Sequence, residues 1–166
     1  RPDLAAALYG DFCQDRRGEE PPGERPYFVT PFFVRHQGRV FVKFNRSYVQ
    51  SAQRFADVPR LTALQTEAMD ALDRLCNDPR FCLEMMLEPG DMQFVCNHVV
   101  LHSRTQYEDW PEPARRRHLL RLWLRTPAFA VPPPVFADRN RDMLAWQRTP
   151  RAPVFDVSEI QAELAH

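Results

Sequence analysis

Two histidines four residues apart, followed by arginines inside an apolar stretch, are the residues of this chain best suited to chemistry. They stand in NHVVLHSRTQYEDWPEPARRRHLLRLWL, residues 97–124. Imidazole is a common ligand of transition metals, and arginine grips a carboxylate through two parallel hydrogen bonds. On a helix, His98 and His102 would share a face one turn apart, the arrangement of the HExxH zinc enzymes. Val99, Val100 and Leu101 favour a strand instead, and no glutamate follows His98. A strand advances about 3.3 Å per residue, which sets the two rings about 13 Å apart. A metal-bound nitrogen lies only about 2 Å from its ion. At most one of the two histidines then serves a given ion, with the other ligands elsewhere.

The arginines carry a second requirement. In RRRHLLRLWLR, strand alternation sends Arg117, Leu119, Arg121, Trp123 and Arg125 to one face and His118, Leu120, Leu122 and Leu124 to the other. Large apolar groups on both faces predict a strand covered on both sides. A guanidinium buried there needs an anion. An internal carboxylate meets that need and so does a bound dicarboxylic ligand; the residues alone leave both open. Glu108 and Asp109 read as loop carboxylates near these arginines, Cys96 and His98 as core, and Trp110 and Trp123 as packing. Arg46 and Tyr48 are candidates to line a substrate pocket.

The elements that must position these groups are read from periodicity. RPDLAAALYGDF predicts a short helix capped by Asp3, with Leu4 and Leu8 on one face and Gly10 at its end. RRGEEPPGERP, 16–26, is a polar loop. YFVTPFFVRHQGRVFVKF, 27–44, predicts two strands around a turn near His36–Gly38, with Pro31 at an edge or bulge. Leu61, Leu64, Ala68, Leu72 and Leu75 recur at helical spacing, and Thr62 with Gln65 fits a capping box. FCLEMMLEPGD, MQFVCN, HVVLH and RHLLRLWLR complete a set of predicted strands. The tail contains VPPPVF and a candidate last helix near VSEIQAELA, and its prolines and apolar residues predict that it lies over the domain.

The 166 residues are enough for one domain with a core. Lys and Arg total 22, as do Asp and Glu, and Lys43 is the only lysine. A nucleic-acid module usually gathers a basic excess on one face, so the neutral balance argues against that partner. No apolar run approaches the roughly 18 residues of a membrane span. Cys13, Cys76, Cys82 and Cys96 form no CxxC pair and are read as reduced, mostly buried thiols of a cytoplasmic protein.

The stretch EPGDMQFVCNHVVLHSRTQYEDWPEPARRRHLLRLWL resembles the C-terminal signature of the TauD/TfdA-type oxygenases. The likeness extends over RPDLAAALYGDFCQDRRGEEPPGERPYFVTPFF and SYVQSAQRFADVPRLTALQTEAMDAL and weakens after Pro127. It implies a mainly β fold with inserted helices, a double-stranded β-helix or jelly roll. Residues 1–126 would be its C-terminal portion and 127–166 a proline-rich extension packed on it. It also implies Fe(II) as metal, 2-oxoglutarate as co-substrate, and O2 with a small organic molecule as substrates. By the resemblance His102 is the distal histidine of the metal site, Arg117 grips the far carboxylate of 2-oxoglutarate, and Arg121 meets an anionic substrate. The family's other two ligands come in an HxD or HxE motif. Here Gly38, Val100, Arg104 and Leu120 stand two places after His36, His98, His102 and His118, and His166 is last. The chain therefore reads as a fragment, inactive alone, whose exposed strand edges would favour pairing of copies. The competing reading is a non-catalytic jelly-roll binding module.

Overall fold

The computed structural model describes residues 1–124 and 132–136. Helix α1 (Pro2–Leu8) is followed by strands β1 (Asp11–Asp15), β2 (Tyr27–Pro31), β3 (Phe33–His36) and β4 (Arg39–Val42). Helices α2 (Arg46–Ala52) and α3 (Ala63–Cys76) come next, then a 3-10 turn at Pro113–Arg115. The strands make two separate antiparallel pairs, β1 with β2 and β3 with β4.

Leu4 and Leu8 place one face of α1 in the core, as their spacing predicts. Asp3 does not cap this helix: Arg1 is the cap residue, and Asp3 lies in the first turn, where it takes the Arg1 guanidinium. A carboxylate in that turn is favoured by the helix dipole. The turn between β3 and β4 falls at Gln37 and Gly38, both in the left-handed region at φ 49° and 73°. Two such residues form the hairpin turn that matches strand twist, and glycine adopts it freely. Residues 27–44 hold three strands rather than the expected two, because the chain breaks at Phe32. Pro31 closes the β1–β2 ladder opposite Asp11, so its missing N–H interrupts nothing inside the pair.

Phe32 is the centre of the core. It is fully buried, stacks on Phe12 at 4.1 Å between ring centroids, and meets Phe44 edge-on at 4.9 Å. Its backbone N–H donates to Leu8 and its carbonyl accepts from Lys43. Leu4, Leu8, Phe12, Val49, Ala68, Met69 and Leu72 complete the cluster, with Leu101 packed at its margin.

Helix α3 carries the predicted capping box. Thr62 Oγ1 accepts from the Gln65 N–H at 3.1 Å, and Gln65 Oε1 accepts from the Thr62 N–H at 3.0 Å. Thr62→Ala leaves one of these amides without its acceptor and should cost about 1 kcal/mol in urea unfolding. An unchanged midpoint would show that the cap contributes nothing.

The strands expected between residues 81 and 124 are absent: residues 77–124 hold no strand. Apolar alternation provides a strand face, but a ladder also needs a neighbour with free amides and carbonyls. Among the described residues no strand lies alongside these segments; the Val42 N–H bond to the His98 carbonyl is a single link and not a ladder. Arg117–Leu124 is thus not covered on both sides; Leu120 and Leu122 remain 82% and 83% exposed. Among the described residues, strand structure is confined to residues 11–42. Of the tail, Pro133 and Phe136 are buried. The candidate helix near VSEIQAELA lies outside the described residues.

Candidate functional site

The histidine segment is tied to the fold at residue 98. The Val42 N–H donates to the His98 carbonyl at 2.8 Å, and Val99 and Val100 turn back to the Cys96 carbonyl. The segment is therefore a turn and not the expected strand, so the strand spacing between His98 and His102 does not apply. His98 stacks on Phe136 at 5.7 Å, with its Nδ1 buried and unpartnered. Burial, aided by the charge of Lys43, holds its pKa below the usual histidine value. These are the features of a packing residue. Leu101 then turns into the core, which leaves His102 exposed at its edge.

The arginines reach this region through a closed loop. Glu112 precedes the 3-10 turn, and Pro113 suits its first position because that N–H would lack a partner anyway. Arg116 donates to the Trp110 and Pro111 carbonyls, and the Arg117 N–H donates to Asp109 Oδ1 at 2.8 Å. Arg115 lies over the Trp110 ring at 3.3 Å and pairs loosely with Glu112. Trp110 is half exposed and serves as a platform for that cation more than as core.

Closing the loop returns Arg117 to Tyr107. The Arg117 guanidinium sits 5.3 Å from that ring centroid and the Arg104 guanidinium 4.5 Å from it. Neither guanidinium, nor that of Arg121, has a carboxylate partner among the described residues. The structure thus sets Arg104 and Arg117 against the same ring, while no hydrogen bond, ion pair or ring contact among the described residues joins His102 or Arg121 to them. The sequence reading assigned no role to Arg104 or Tyr107. The signal was the DWPEP turn, which doubles the chain back on the residues before it.

Two other expectations are corrected. Arg46 does not line a pocket: it bridges Asp70 and Asp73, both at 2.6 Å, and fastens α2 to α3. Tyr48 lies beneath the Arg17 guanidinium at 4.3 Å. The cysteines are free, but Cys82 and Cys96 are exposed rather than buried, and only Cys13 and Cys76 are half-buried. Burial pushes the thiols of these last two up.

An Fe(II) held by two histidines and a carboxylate needs three converging side chains. Among the described residues no three of His, Cys, Asp or Glu converge in that way. His102 supplies a single imidazole, so these residues do not by themselves fit the metal. The Arg117 guanidinium, with no carboxylate partner among the described residues, is of a type that suits a carboxylate ligand, since arginine binds such a group bidentately.

The family described as taurine catabolism dioxygenase TauD, TfdA family matches residues 2–123. The FR-33289 synthase of Streptomyces rubellomurinus is 36% identical over 128 residues, which cover 74% of this chain and 37% of that protein. A taurine hydroxylase-like protein of Stachybotrys chartarum is 27% identical over 125 residues, covering 74% of this chain and 31% of its own length. The chain therefore spans about a third of the curated relatives it matches.

Proposed function

We propose, because this chain belongs to the TauD/TfdA family of dioxygenases, that the complete protein is an Fe(II)- and 2-oxoglutarate-dependent oxygenase. It would oxidise a small organic substrate, anionic by the reading of Arg121, with O2 as oxidant and succinate and CO2 as co-products. The fold we assign to it is the jelly roll, with residues 1–126 as the C-terminal portion and 127–166 as an extension. We place the protein in the cytoplasm.

Within that reading the chain's own residues bind and orient. Arg117 grips the far carboxylate of the keto acid, Arg121 receives the substrate's anionic group, and His102 contributes one metal ligand. The observation that supports this assignment is a set of guanidiniums with no acidic partner among the described residues, in a chain of neutral net charge. Charges left over in this way suit an anion from outside.

The test is spectroscopic. Anaerobic addition of Fe(II) and 2-oxoglutarate to the complete protein should produce the visible charge-transfer band of the chelated keto acid, and His102→Ala should abolish it. A band unaffected by His102→Ala would remove that residue from the metal site. The second reading is a non-catalytic module that binds small acids, and an HxD or HxE motif elsewhere in the complete protein would count against it. It requires dicarboxylate binding with no succinate formed on turnover.

A further inference from the structure

We propose that Arg104, held with Arg117 around the ring of Tyr107, is a second binding residue for the dicarboxylate. This rests on the reading that Arg117 grips the keto acid. Two cations beside one exposed ring repel each other, and each gains only about 0.5–1 kcal/mol from the ring face. An internal carboxylate would relieve the repulsion, yet Asp109 accepts the Arg117 backbone N–H and does not pair with its guanidinium. Glu112 lies nearest Arg115. Among the described residues neither guanidinium fork has a carboxylate acceptor.

A dicarboxylate supplies acceptors at both ends of a short chain. Both guanidiniums already rest against the Tyr107 ring, at 4.5 and 5.3 Å from its centroid, so less side-chain freedom is lost when a ligand binds them. Arg104 stands two residues after His102 in the sequence. Lysine would keep the charge of Arg104 but lose the fork.

The experiment uses the whole chain, free of metal, and reads the arginine side-chain NMR signals during titration with 2-oxoglutarate. Signals of both Arg104 and Arg117 should move with one Kd. Arg104→Gln should weaken binding about tenfold, the size of one charge-assisted hydrogen bond, and Arg104→Lys should recover part of the loss. Tyr107→Phe should bind as the parent does, whereas Tyr107→Leu should weaken binding and move the Arg117 signal even without ligand. Because these side chains are exposed, thermal unfolding should be unchanged in all four variants. If Arg117→Gln loses binding while Arg104→Gln does not, this inference fails and the reading of Arg117 stands. If neither matters, or the parent chain binds nothing, both fail. Inorganic phosphate competing as well as succinate would overturn the dicarboxylate assignment.

Discussion

Phe32→Ala is expected to cost about 3–5 kcal/mol, the range for truncating a buried aromatic residue. The size follows from position. The Phe32 ring stacks on Phe12 and meets Phe44, and its backbone joins α1 to the end of β4. Alanine keeps the backbone bonds but leaves a cavity walled by α1, α2 and α3, which cannot all move inward together. Phe32→Leu fills most of that space and should lose much less. Equilibrium urea unfolding of the two variants measures the difference. Equal losses would mean that Phe32 matters for something other than the space it fills.

The second large effect belongs to Asp15. This carboxylate is buried at the end of β1, where it accepts from the Arg17 N–H at 2.8 Å and from the Ser51 hydroxyl, and pairs with Arg54 at 3.2 Å. Burial pushes its pKa up, but the Ser51 and Arg17 hydrogen bonds and the Arg54 charge outweigh it, so the folded value lies below the usual one. A depressed folded pKa stabilises the fold above the unfolded value, about 3.9, and that stability is lost as pH falls through the folded value. Asp15→Asn should therefore cost about 1.5–3 kcal/mol at pH 7, as expected for hydrogen bonds to a charged group. The gap between parent and variant should narrow below about pH 4. A gap that stays constant from pH 7 to pH 3 would show that the charge of Asp15 contributes nothing.

The parts of the fold readable from sequence were those whose signals are local. The Thr62 and Gln65 pair, the turn at Gly38 and the paired leucines of α1 each act within one or two turns of chain. β1 escaped notice because Gln14 and Asp15 are polar and yet buried, so alternation of apolar residues does not mark it. α2 escaped because what holds it, Asp15 on Ser51 and Arg46 on Asp70 and Asp73, is distant in sequence. The predicted strands beyond residue 81 failed for the opposite reason. Their alternation is local and plain, but pairing is a property of two segments, and one segment's pattern cannot supply the other. For the site, residue types pointed to His102 and the arginines. The Tyr107 bracket depends on how far the DWPEP turn folds back, which residue type alone does not specify.

One residue stands at both ends of the chain that bears these groups. His98 receives β4 through its carbonyl and Phe136 through its ring, so the stretch from 98 to 136 leaves and returns at a single point. Bringing together the ends of about 38 residues costs roughly 3 kcal/mol in closure entropy. A ring stack contributes about 0.5–1.5 kcal/mol, so burial of Phe136 and Pro133 must supply the remainder. His98 is thus the clasp of a belt: it has no part in the proposed chemistry, yet it holds together the ends of the segment on which His102, Arg104, Arg117 and Arg121 are all strung.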